Sequence, residues 1–115
     1  MPTIARRNSM AIGTMVDNVL ASSQYEFAPF DGTIEIGIVA VRSLVTCAVF
    51  SGPDVLAEPG TPVQVFATER TPIYPDDFNL EDEVAQGDRL KVTLVNGNVA
   101  AGPDAVNTIV RITPA

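Results

Sequence analysis

Six carboxylates crowd one stretch of the chain: Asp76, Asp77, Glu81, Asp82, Glu83 and Asp88. Oxygen donors at this density are the raw material of a calcium site, since that ion takes about six to eight oxygen ligands. Their spacing lacks the alternating Asp/Asn positions, central Gly and terminal Glu of a calcium-binding helix–loop–helix. A solvated acidic loop, or one meeting a neighbour's arginine, is therefore the stronger reading, and no metal or cofactor is expected. Paired carboxylates also serve glycoside hydrolysis, which needs a cleft walled by sugar-stacking aromatics. The chain has no Trp, two Tyr and five Phe. Nucleophilic catalysis fares worse. With no His, neither a serine nor Cys47 has an imidazole base, and the Gly-x-Ser-x-Gly elbow and glycine-rich phosphate loops are absent. The chain is expected not to be an enzyme. Cys47, the lone cysteine, sits in the strand-like run Val45–Val49 and reads as a buried, inert thiol; no intrachain disulfide or thiolate cluster can form.

Composition narrows the partners. In 115 residues, fourteen Asp and Glu face seven Lys and Arg, a net charge of -7. Such a protein is repelled by phosphate backbones and anionic membrane surfaces, so neither nucleic acid nor membrane is an expected partner. Charged residues make up 18% and hydrophobic ones 46%, a low surface charge that points weakly to assembly. The apolar run after Arg6-Arg7 is interrupted by Gly13, Asp17 and Asn18, so no signal peptide is expected. No apolar run approaches transmembrane length.

The elements that must position these groups are strands. Leu90, Val92 and Leu94 alternate with Lys91, Thr93 and Val95, the period of a strand with one buried face. Ile34, Ile36, Ile38 and Ala40 form another such set, and so do Val106, Thr108, Val110 and Ile112. Leu44–Ser51 is a further strand, and its short link to the preceding one predicts a hairpin. Pro29-Phe30-Asp31-Gly32, Ser51-Gly52-Pro53-Asp54, Gln86-Gly87-Asp88, Asn96-Gly97-Asn98 and Gly102-Pro103-Asp104 read as turns. Residues 55–58, 62–67 and 24–28 suggest shorter strands. Met15, Val16, Val19 and Leu20 have helix-like spacing, but the stretch reads as a short irregular or strand segment, and Asp76–Gln86 could hold one helical turn. About seven or eight short strands, with no long amphipathic helix, define an all-β fold: a single antiparallel β-sandwich or jelly roll over residues 12–115, preceded by an extended N-terminal arm over residues 1–11.

What remains is binding through surfaces. Arg6 and Arg7 are a basic pair in an acidic chain, either reaching a partner's carboxylates or lying in a solvated tail. Phe30 and Phe78, with Tyr74, stand in or beside turns, as interface anchors or as plugs closing the ends of the sandwich.

The pattern FDGTIEIGIVAV, VFSGPDVLAEPG, IYPDDF, VAQGDRLKVTLVN and NTIVRITP resembles the small all-β decoration, or cement, proteins on the heads of tailed bacteriophages. That resemblance implies a homotrimer on the virion exterior, clamping neighbouring copies of the major capsid protein, without catalytic residues. On it, Arg6 and Arg7 belong to a capsid-facing arm and the Tyr74–Phe78 loop to a subunit interface. Two other classes stay open: a carbohydrate-binding or adhesion sandwich that uses calcium, and another minor virion component.

Overall fold

The computed structural model describes residues 3–21, 23, 25–41, 44–66, 68–73, 76–97 and 104–114. Among them are nine strands: β1 (Thr3–Met10), β2 (Met15–Val16), β3 (Gly32–Ala40), β4 (Val45–Ser51), β5 (Asp54–Pro62), β6 (Gln64–Val65), β7 (Leu80–Val84), β8 (Leu90–Asn96) and β9 (Asp104–Pro114). Sheet A runs β1–β9–β3, with β7 and β6 sharing the far side of β3; sheet B runs β2–β8–β4–β5. Pairing is antiparallel apart from the short β3–β6 contact. Among the described residues no helix is long and apolar enough to cross a membrane.

The two sheets face one another because β3, β4, β8 and β9 each bury every second side chain. Ile34, Ile36 and Ile38 of β3 and Val106, Val110 and Ile112 of β9 supply one wall of the core. Val45, Cys47 and Val49 of β4 and Leu90, Val92 and Leu94 of β8 supply the other. Each fully buried aliphatic side chain contributes about 1.5–3 kcal/mol relative to exposure, so this interior is the main source of stability. The one-face sets read from the sequence all lie in it. Buried Asn96 ties the sheets together at one end. From the end of β8 its Nδ2 donates to Asp104 Oδ2 at 3.0 Å and to the carbonyls of Met10 at 3.1 Å and Ala11 at 3.4 Å.

Several expectations are corrected. β3 and β4 are not a hairpin: they lie in different sheets, β3 beside β9 and β4 beside β8. Residues 41–44 can span about 13 Å when extended, enough for the roughly 10 Å between stacked sheets. Leu44, with φ of 68°, makes the turn into β4. Likewise, β8 and β9 lie in different sheets, so the Asn96-Gly97-Asn98 signal does not close a hairpin. Asn98, Gly102 and Pro103 are outside the described residues. The hairpin that does form is β4–β5, turning at Gly52-Pro53 with Ser51 opposite Asp54. β5 continues through Pro59-Gly60 with register shifts. The Asp76–Gln86 stretch holds no helical turn. Leu80–Val84 is β7, because Leu80, Asp82 and Val84 can share an inward face only in an extended chain. The stretch after Met15 is the short irregular or strand segment expected, with β2 at Met15–Val16 and turns after it. Buried Asn18 accepts N–H bonds from Leu20 at 3.0 Å and Val92 at 3.1 Å, holding the segment along β8 in place of a strand. Of the 24–28 segment, only a Phe27–Arg89 bridge is strand-like.

Residues 3–10 are extended, as expected of an arm, but they form β1, paired with β9 from Thr3↔Arg111 to Met10↔Asp104. Met10 is buried in the core and Ile4 packs against it.

Candidate functional site

The two outer faces of the sandwich differ. On sheet A, residues 66, 68–73 and 76–79 lie over the outside of β3 and β9 as a strap. A side chain at Gly37 would leave no room for it. A Cβ there would lie 2.8 Å from Pro72 Cβ, 3.0 Å from the Asp77 carbonyl and 3.1 Å from Phe78 Cδ1. Buried Asp77 fastens the strap to itself, accepting the Ile73 N–H at 2.9 Å and pairing with Arg70, whose guanidinium lies 3.7 Å over the Phe66 ring. The Ile73 N–H, then Arg70, hold the Asp77 carboxyl below its ordinary range despite burial. Asn107 of β9 donates to Glu69 Oε2 at 3.3 Å and to the Arg70 carbonyl at 3.1 Å. Arg7 of β1 grips Glu69 with two bonds of 2.8 and 3.0 Å, which hold the glutamate below its usual range.

The same geometry places several of the candidate surface residues. Phe78 is a buried plug under the strap. Phe30 is half-buried against the core at the turn before β3. Arg7 is occupied by Glu69. Arg6 stands exposed at the middle of β1, opposite Thr108. Tyr74 is outside the described residues.

The acidic residues are dispersed by strand geometry. Glu81 and Glu83 lie on the outward face of β7 and Asp82 on the inward one. Asp77 is bound within the strap, and Asp76 is exposed beside it. Asp88 Oδ2 accepts the Ala85 N–H at 3.0 Å, shaping the turn before β8. Among the described residues no three carboxylates or thiols converge to hold a metal ion. The closest approach is Asp54 to Asp82. The Asp82 hydrogen bond and charge, followed by burial and Asp88, push the Asp54 carboxyl above its ordinary value. Cys47 is buried, and burial raises its thiol pKa. It lines a cleft of about 50 Å³ with Ile38, Thr61, Val63 and Leu80. That space holds a water or two, against several hundred Å³ for a typical small-molecule site.

Sheet B presents its outer face to solvent without a strap. Alternation and register place Met15 of β2 beside Val95 of β8, with Thr46 of β4 and Pro62 of β5 beyond. Thr93 and Ala48 follow in the next row, then Lys91, Phe50 and Val55. Across β2, β4 and β8, Lys91 is the one charged outward residue, and Asp17 lies 3.5 Å from its Nζ. Met15 is 61% exposed, Val55 53% and Val95 37%. Exposed Leu44 and Ile12 extend the apolar surface at one end, where Leu44 O accepts the Gly97 N–H at 2.9 Å. Sequence reasoning missed this face. Its signal was the Thr, Val, Ala and Phe residues at outward positions where an acidic, solvated sheet carries charges.

The chain matches no known family model, no curated protein and no solved structure.

Proposed function

We propose that the chain is a structural protein of a virus particle, a capsid decoration or cement protein of the tailed-phage kind. It docks on the shell exterior through the outer face of sheet B and bridges neighbouring coat subunits, with further copies of itself as the second partner in a homotrimer. The observation that carries this reading is the nearly uncharged, methionine- and valine-bearing face of a chain whose net charge is -7. Depletion of charge at the centre of a patch, with Met and aromatic residues present, marks interface cores. The strap supports the same reading, because it covers the Gly37, Val39 and Asn107 part of the opposite face, whereas sheet B carries no such cover. Mechanism here is adhesion. A rigid sandwich laid across a subunit junction adds buried area to that junction, and several linked copies multiply a modest contact. Acidic residues on the remaining surface keep particles apart.

The test is co-sedimentation of the purified protein with phage heads stripped of their decoration layer. Saturable binding is expected, lost in a Met15→Glu, Val95→Glu double variant whose melting temperature is unchanged. Absence of binding, or binding indifferent to those substitutions, would refute the proposal.

A further inference from the structure

The two edges of sheet A carry opposite charge. β1 is bordered by β9 alone, and among the described residues β7 is bordered by β3 alone. Each therefore leaves one row of backbone N–H and C=O groups unpaired, a ready template for another strand. β1 brings Arg6 and Arg7 to its edge, whereas β7 brings Glu81, Asp82 and Glu83. The geometry points to a head-to-tail contact between copies of this chain, with the β1 edge of one copy adding to the β7 edge of the next. The inference deepens the assembly reading above and rests on it for the premise that copies associate.

Strand direction allows the contact. β9 is antiparallel to β1, β3 to β9 and β7 to β3, so β7 runs antiparallel to β1 within one sheet. Sliding one copy along the sheet direction brings these edges together in antiparallel pairing, with the core-facing sides continuous. Setting Arg6 opposite Asp82 then places Arg7 opposite Glu81 and Ile4 opposite Val84. Inward residues meet inward ones in this register, and outward residues meet outward ones.

Three observations favour this partner. Arg6 is exposed and has no ion-pair partner among the described residues. Asp82 Oδ2 is buried with no hydrogen-bond donor, beside the Asp54 carboxyl that it perturbs. Glu81 stands across from Glu35, whose other cross-strand neighbour is Arg111, so Glu81 is the outer carboxylate of that row and the one that faces the open edge. The symmetric alternative, β1 on β1, sets Arg6 and Arg7 against the same residues of the other copy. Repeated by sliding alone, a heterologous contact runs on as a filament; where each copy is also rotated on the last it closes into a ring, and a threefold ring is the closed form that fits the trimer proposed above.

Two variants test the contact by sedimentation equilibrium at low ionic strength: Arg6→Glu, and Glu81→Lys with Glu83→Lys. The parent chain should associate. Each variant alone should bind itself about tenfold or more weakly, because facing charges become alike. An equimolar mixture of the two should associate again, because the unaltered β1 edge of the double-lysine variant still meets the unaltered β7 edge of Arg6→Glu; a β1–β1 contact would instead leave the double-lysine variant associating as the parent does. Melting temperatures near the parent's certify that both variants fold. A parent chain that remains monomeric overturns the contact, as does an oligomer indifferent to both reversals. Shell decoration by a monomeric chain would overturn this contact alone and leave the docking reading intact.

Discussion

Replacing Gly37 with alanine tests whether the strap truly lies on sheet A. The added methyl would meet Pro72 Cβ at 2.8 Å and the Asp77 carbonyl at 3.0 Å, both shorter than real Cβ contacts. Neither is the free end of a flexible side chain, so the strap must lift. Overpacking of this kind costs about 1–3 kcal/mol. Losing the burial of Phe78 would cost about 1.5–3 kcal/mol, which sets a similar ceiling. Alanine gains about 0.4–1 kcal/mol by restricting the unfolded chain. The clash is larger, so net destabilisation is expected. For a domain of this size, the net loss corresponds to a melting temperature lower by up to roughly 10 °C. Urea unfolding should show a lower midpoint at unchanged slope. Gly60→Ala is the control. No atom lies within 4 Å of its Cβ position, and its φ of 92° exacts only a strain of about 1 kcal/mol. A Gly37→Ala midpoint equal to or above the parent's would refute the placement of Pro72, Asp77 and Phe78 over Gly37.

Other outcomes follow from the same geometry. Asn96→Ala removes the amide that joins Met10, Ala11 and Asp104, and a loss of about 1–3 kcal/mol should appear in denaturant unfolding. Leu44→Gly relieves a left-handed backbone and should stabilise the chain slightly in the same assay; a fall would mean that the exposed leucine packs more than its position suggests. Asp77 and Glu69 have depressed pKa values, so their stabilisation is present above the ordinary carboxylate range and disappears as pH falls through the depressed values. Asp77→Asn should therefore lower the neutral-pH melting temperature and flatten its decline in acid. Asp54 has the opposite sign. Its raised pKa means that stability present in acid is lost as it ionises, so Asp54→Asn should melt higher at neutral pH and match the parent in acid.

The sequence made the long strands legible because each buries one face. Ile34 to Ala40 and Leu90 to Leu94 could be read directly from a period of two. β1 was harder: of its eight residues only Met10 is fully buried, and an edge strand shows little alternation. β7 was hidden by its carboxylates, since Leu80 and Val84 alone mark its inner face. Alternation also says which residues face inward without saying which sheet they join. This is why a short link between β3 and β4 suggested a hairpin when the chain was crossing the core. The surfaces were less legible still. Phe78 packs on Gly37, and Arg7 reaches Glu69, 62 positions away, so neither contact leaves a local pattern. The sheet B face is a surface of absent charges, visible only once register brings Met15, Val95, Phe50 and Val55 together.

The central claim is that sheet B faces the shell, and methionine oxidation tests it with a control built into the chain. Met15 is exposed on that face, whereas Met10 is buried in the core. Peroxide footprinting by mass spectrometry should show Met15 oxidised in the free protein and protected on particles, with Met10 silent in both. Equal oxidation of Met15 in the free and the particle-bound protein would contradict the account.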